Sequence, residues 1–256
     1  MSHCKSIPMS KRVAVVTGGI GGLGSEICKY LARSGRQVVA ADLAARADRI
    51  DAFREEMSEF DGSIAFEPLN VADFDSCSGL IRNVEERYGP VAILVNAAGI
   101  TRDTSLRKMA PEQWSDVLKV NLEGVFNMCR QVVEGMTSRA FGRIVNISSV
   151  NGQTGQFGQT NYSAAKAGMH GFTMALAREV ASKGVTVNSV SPGYCRTALV
   201  MAVPENIRNQ IIANIPVGRL GEPREIARVV DFLSADDAGF ITGANIPVNG
   251  GYFMDF

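Results

Sequence analysis

Tyr162 and Lys166 stand four residues apart in "NYSAAKAG" (161–168). On a helix that spacing puts a phenol and an ammonium on one face. A free phenol titrates at about 10, so at neutral pH it can give a proton but is a sluggish base until its pKa falls. A cation one turn away favours the phenolate and supplies that fall. Upstream, "NISS" (146–149) brings two hydroxyls, Ser148 and Ser149, to the end of a strand-like run. Neighbours on a strand point to opposite sides, so only one of them can face the same ligand as the pair. A proton donor and a hydroxyl that can hold a developing oxyanion are what reduction of a carbonyl needs once a hydride is delivered. Just before Tyr162, the stretch "GQFGQT" (155–160) sets two amides and a phenyl ring, Gln156, Phe157 and Gln159. That stretch reads either as a substrate pocket or as a plain loop running into the helix.

A second group lies near the start of the chain. "TGGIGGLG" (17–24) follows a strand-like run and opens a helix-like one. Glycines there let backbone approach a pyrophosphate closely, and a helix N-terminus offers free N–H groups to the anion. Asp42 ends the next strand-like run, 18 residues beyond Gly24. A carboxylate at that place can accept hydrogen bonds from ribose hydroxyls and repels a 2′-phosphate, so it favours NAD(H), with NADP(H) possible. Arg46, four residues later, is the cation that could meet such a phosphate.

The elements that must hold these groups alternate. Strand-like runs at 12–18, 37–42, 63–69, 91–99, 142–149, 185–193 and 243–251 are separated by helical segments near 23–34, 48–59, 73–88, 111–137, 161–182 and 223–234. This is the form of repeated βα units, and it predicts an α/β Rossmann-like, doubly wound parallel sheet of seven strands flanked by helices. "VAILVNAAG" (91–99) is apolar without alternation, as a strand buried on both faces should be. The whole chain, 1–256, reads as one dinucleotide-binding domain, with 1–10 a flexible N-terminus. Residues 193–222, bounded by Pro192-Gly193 and Pro223, read as a long irregular segment of the lid type.

The 26 basic and 26 acidic residues cancel, leaving no field to draw nucleic acid or an anionic membrane surface. Five scattered cysteines with no CxxC pair support neither a disulfide framework nor a metal site. With no apolar leader or spanning segment, a cytoplasmic protein is expected. Cys195, with no base beside it in sequence, reads as a bystander.

Several motifs in fixed order carry a likeness. The TGxxxGxG spacing of Thr17, Gly18, Gly22 and Gly24, "NAAG" (96–99), Asn121, Ser149 and the Tyr162/Lys166 pair together resemble the short-chain dehydrogenase/reductase family, over nearly the whole chain. Within it, "GQTGQFGQTNYSAAKAGMHGF" (152–172) and "AGITRDTSLRKM" (98–109) are similar to the acetoacetyl-CoA reductases of polyhydroxybutyrate synthesis. The resemblance implies NAD(P)H-dependent reduction of a small acyl-CoA substrate and a homotetramer paired through two long helices. It selects Ser149 over Ser148, gives Asn121 a proton-relaying water, and adds the nicotinamide ribose to the ligands of Lys166. Leu23, Asn96, Ala97, Gly99, Pro192, Gly193 and Thr197 are implied to line the cofactor site beside the glycine turn, Tyr162 and Lys166. Asp103, Lys108, Gln156, Phe157, Gln159, Thr160 and Tyr194 are implied to bind substrate with Ser149. Asp42 departs from the pattern of that pathway's reductases, many of which use NADPH. Two alternatives stand beside this expectation. One is a 3-oxoacyl-[acyl-carrier-protein] reductase with a basic docking face that includes Arg139, Arg143 and Lys183; the other is a dinucleotide sensor without catalysis.

Overall fold

A computed structural model describes residues 12–60 and 62–254; the expected flexible N-terminus, 1–10, lies outside them. β1 (Val13–Thr17), β2 (Gln37–Asp42), β3 (Ile64–Pro68), β4 (Val91–Asn96), β5 (Gly142–Ile147), β6 (Val185–Pro192) and β7 (Asn245–Val248) form one sheet. The strands are all parallel, in the order β3-β2-β1-β4-β5-β6-β7. This is the expected seven-stranded, Rossmann-like α/β sheet. The order reverses between β1 and β4, and such a switch point leaves a crevice at the carboxyl ends of the strands.

Alternation along each strand builds two cores. Val13 and Val15 join Leu80, Val84, Val125, Met128 and Met169 on one face, under α3 (Phe74–Tyr88), α5 (Gly124–Ser138) and α7 (Thr160–Val180). Ala14 and Val16 join Ile27, Leu31, Ile226 and Val230 on the other, under α1 (Gly22–Arg33) and α10 (Pro223–Leu233). Burying one such aliphatic side chain contributes about 1.5–3 kcal/mol, so the two faces supply the main force that holds the sheet. The four described cysteines, Cys28, Cys77, Cys129 and Cys195, are free and buried. No helix among the described residues is long and apolar enough to cross a membrane.

At its carboxyl edge the sheet turns polar in register. Thr17 pairs with Asn96, Asn96 with Asn146, Asn146 with Ser189, and Ser189 with Asn245. Side chains stitch this row together. Asn96 Nδ2 donates to Asn146 Oδ1 at 2.8 Å, and Asn146 Nδ2 donates to Thr173 of α7 at 2.9 Å. The row is the floor on which the site stands.

Two expectations about elements need correction. The helix read over 111–137 is α4 (Pro111–Leu118), a π turn over Lys119–Glu123 and then α5. A π turn has no apolar signature, because it shifts the register by a single residue; such turns recur at functional sites. Residues 193–222 are not uniformly irregular, since they carry α8 (Ala198–Met201) and α9 (Glu205–Ala213). Neither helix buries a residue, so no apolar stripe marks them in the sequence. The remaining helices are α2 (Ala47–Glu56) and the single turn α6 (Asn151–Thr154).

Candidate active site

At the switch point a cleft of about 460 Å³ opens. Leu23 of α1, the loops after β4 and β5, α7 and residues 192–200 converge on it. Ala97, Gly99, Ser149, Gln159, Tyr162, Lys166, Pro192, Gly193, Tyr194 and Thr197 all reach its wall, with Leu23 from α1.

The glycine turn is built by close approach. Gly18 has φ +64°, and a Cβ there would sit 2.8 Å from the backbone of Ala98. At Gly24 a Cβ would sit 2.1 Å from the carbonyl oxygen of Gly18, which leaves no side chain but hydrogen. Thr17 holds the turn against β4, its Oγ1 accepting from the N–H groups of Ala97 and Ala98 at 3.1 Å each. Gly21, at the N-cap of α1, makes no side-chain cap, so the helix end keeps donors for an anion. A Cβ at Gly22 would lie 3.2 Å from the methyl of Thr197, and that residue also caps α8, its Oγ1 accepting from Val200 N at 3.5 Å. The turn, the bare helix end and Lys166 in the cleft wall fit a nicotinamide dinucleotide.

Asp42 sits where the sequence put it, at the end of β2, but it has a partner. Arg46 donates to Asp42 Oδ2 at 3.1 Å, while Leu43 N donates to Oδ1 at 2.8 Å. The cation that could hold a 2′-phosphate is thus paired with the carboxylate that would repel it.

The groups expected to react lie deeper. Lys166 is 3 % exposed, and burial lowers its pKa to about 8. Its Nζ donates to the carbonyl oxygen of Ile147 at 2.6 Å and lies 5.6 Å above the Tyr162 ring. Tyr162 does not show the lowered pKa expected from the spacing alone. Burial raises it, the Ser149 hydroxyl opposes that rise, and the charge of Asp103 adds to it. The ammonium faces ring and carbonyl, and its field does not offset the loss of water around the phenol.

Both serines lie just past the end of β5 and both reach the cleft wall, so strand alternation does not separate them; their hydrogen bonds do. Ser148 is buried and donates to the carbonyl oxygen of Lys166 at 3.0 Å, whereas half-buried Ser149 accepts at Oγ from Asn151 N at 3.1 Å. Asn121, fully buried in the π turn, grips Ile100 from both sides. Its Oδ1 accepts from Ile100 N at 2.8 Å and its Nδ2 donates to Ile100 O at 2.9 Å. A Cβ at Gly99 would fall 3.3 Å from Asn121 Oδ1 and 3.7 Å from Lys166 Nζ, so that glycine keeps open the space between them.

The residues expected at the substrate end divide. Gln159 and Tyr194 line the cleft; Tyr194 packs edge-on against Tyr252 at 5.7 Å between centroids. Asp103 stands behind Gln159, whose Nε2 donates to Asp103 Oδ2 at 2.8 Å. Gln156, Phe157, Thr160 and Lys108 are exposed and lie outside the cleft wall; Phe157 is 89 % exposed and Thr160 Oγ1 rests 3.8 Å from Met109 Sδ. Asn161 was not singled out by sequence, yet it fixes the start of α7. Its Nδ2 donates to the carbonyls of Arg102 and Gln113, and its Oδ1 accepts from Tyr162 N. Cys195 is buried beside two glutamates, and burial pushes its thiol up to about 12, which makes it inert as a nucleophile.

Residues 12–208 match the short chain dehydrogenase family model. The chain belongs to the short-chain dehydrogenase/reductase family. Family membership makes it an oxidoreductase that draws on a nicotinamide dinucleotide. Its relatives include the acetoacetyl-CoA reductase of Allochromatium vinosum, 54 % identical over 95 % of this chain and 99 % of that protein. The acetoacetyl-CoA reductase of Cupriavidus necator is 50 % identical over 96 % of this chain and all of its own length. Another family member, the 3-oxoacyl-[acyl-carrier-protein] reductase of Pseudomonas aeruginosa, is 43 % identical over 95 % of this chain and 98 % of its own.

Proposed function

We propose that this short-chain reductase reduces acetoacetyl-CoA to (R)-3-hydroxybutanoyl-CoA, supplying polyhydroxybutyrate synthesis, as a cytoplasmic homotetramer that favours NADH. The observation that carries the reading is likeness at 50–54 % over nearly full length to several reductases of that name, in a chain whose Ser149, Tyr162 and Lys166 share one cleft.

A nicotinamide dinucleotide held by the glycine turn, Asp42 and Lys166 would supply the hydride. Ser149 holds the ketone oxygen and Tyr162 gives it a proton, so the two O–H groups stabilise the charge that builds there. A buried phenol with a raised pKa stays protonated at neutral pH, which suits the reductive direction. Lys166 orients the ribose and keeps a positive charge over the Tyr162 ring as the phenolate forms. Asn121, by fixing Ile100, holds open the passage beside Gly99, where a water can refill the proton. On the adenosine side, Asp42 accepts the ribose hydroxyls; a 2′-phosphate would require Arg46 to exchange Asp42 for the phosphate, and the intact ion pair favours NADH.

Action on carrier-linked substrates is the rival, supported by the relatives at 42–43 % identity. The basic face expected for an acidic carrier is incomplete, because Arg143 is 3 % exposed and spent on the carbonyls of Ala235, Gly142 and Asp236. Steady-state reduction of acetoacetyl-CoA and of the carrier-linked acid, each with NADH and NADPH, tests the proposal. The expected order has acetoacetyl-CoA with NADH highest in kcat/KM. A large preference for the carrier-linked acid would overturn the substrate assignment, and a large preference for NADPH the cofactor assignment.

A further inference from the structure

One buried residue, Asn151, is hydrogen-bonded to both Ser149 and Gln159. Asn151 is 8 % exposed and opens the single turn α6. Its backbone N–H donates to Ser149 Oγ at 3.1 Å, and its side-chain Nδ2 donates to Gln159 Oε1 at 2.9 Å. Gln159 Nε2 in turn donates to Asp103 Oδ2 at 2.8 Å. Among the described residues no donor reaches Asn151 Oδ1.

The order of donors along this chain is fixed by its end. A carboxylate only accepts, so Asp103 must face the NH₂ of Gln159, and the Gln159 oxygen must then face a donor. Asn151 Nδ2 is that donor. Turning the Gln159 amide over would set its oxygen against the Asp103 carboxylate and its NH₂ against Asn151 Nδ2. One N–H of Gln159, in the cleft wall, stays outside these bonds as a donor of fixed direction. The backbone N–H of Asn151 meanwhile occupies a lone pair of Ser149 and leaves the serine proton for the substrate.

We infer that Asn151 is a positioning residue that sets the spacing between the Ser149 hydroxyl, which takes the ketone oxygen, and the Gln159 N–H, which takes the thioester oxygen. The inference rests on the substrate reading proposed above. It also gives Asp103 a role behind Gln159, as the anchor of the amide's orientation.

The test is a double-mutant cycle read in KM for acetoacetyl-CoA, with the dissociation constant for NADH measured by fluorescence titration. Losing one hydrogen bond of about 1–1.5 kcal/mol corresponds to roughly tenfold. Asn151→Ala should therefore raise KM about tenfold while NADH binding changes less than twofold. In a Gln159→Ala background the same substitution should add less than twofold. Asn151→Asp, nearly isosteric, keeps the backbone bond to Ser149 but turns an acceptor toward Gln159 Oε1, and should raise KM at least as much. If the alanine variant does not fold, the aspartate variant carries the cycle. Full additivity with Gln159→Ala overturns the inference alone. An unchanged KM for Gln159→Ala overturns the substrate assignment of Gln159 and the inference with it. Parallel losses in NADH affinity and thermal stability would mark Asn151 as merely structural.

Discussion

At the scale of a residue, Lys166 concentrates the tension between stability and activity. Its pKa falls from 10.5 in the open chain to about 8 in the folded one, because burial strips water from the ammonium. Below pH 8 both states carry the proton and the folded state bears the cost of burying it. Between 8 and 10.5 the unfolded chain binds the extra proton, so stability rises with pH across that window. Lys166→Met removes the buried charge and leaves the Ile147 carbonyl without its donor. It should be more stable than the parent at pH 7 by about 1–2 kcal/mol, inactive, and progressively less advantaged as pH climbs from 8 to 10.5, which urea unfolding at several pH values checks. For catalysis the sign reverses. The kcat/KM for reduction should fall above about pH 8 as the ammonium is lost, and Lys166→Arg, which stays charged, should lack that limb at a lower plateau. Tyr162→Phe should cost about 10²–10⁴-fold in kcat with NADH affinity retained, because the phenyl ring still packs while the proton donor is gone. Survival of activity in that variant would displace Tyr162 as the donor.

At the scale of an element, the turn from β1 into α1 carries the closest backbone approach among the described glycines. A Cβ at Gly24 meets the Gly18 carbonyl oxygen at 2.1 Å and the Cα of Gly19 at 2.9 Å, and both are backbone that cannot swing aside. Gly24→Ala should therefore lift the N-terminus of α1 from the turn, cost about 1–3 kcal/mol of stability, and weaken NADH binding beyond tenfold. A calorimetric titration with unaltered affinity would show that α1 does not hold the pyrophosphate. The π turn at Lys119–Glu123 is the other decisive joint. It brings Asn121 inward against Ile100, where an uninterrupted helix would offer the next residue in the register.

At the scale of the whole molecule, several apolar side chains stay in water on one chain. Phe126 of α5 is half exposed beside Phe74, at 6.4 Å between ring centroids, and Met174 of α7 is 53 % exposed. These belong to the two long helices expected to pair. If the homotetramer proposed above forms, sedimentation equilibrium should give the mass of four 27.4 kDa chains. Phe126→Asp should shift the population toward smaller species, since an ionised carboxylate is costly to bury in an apolar contact. A parent that sediments as a single chain would reject the assembly.

Much of this was written in local pattern. The alternation of seven strands with helices, the glycine turn, Asp42 at a strand end and the Tyr162/Lys166 pair follow from periodicity, from glycine's missing Cβ and from fixed spacing, all of which act over a few residues. What the pattern could not carry was the choice of partner. Asp42 pairs with Arg46, Arg143 sinks among carbonyls from 142, 235 and 236, and Asn151 bridges Ser149 to Gln159. Even the sign of the shift at Tyr162 depended on how much water the fold removed, against a cation held by Ile147. The sequence by itself determined which chemistry the chain carries, because residue type and short-range spacing suffice for that. Only the tertiary structure decided which polar groups are spent on each other and which remain for a ligand, because desolvation and hydrogen-bond geometry arise when distant segments meet.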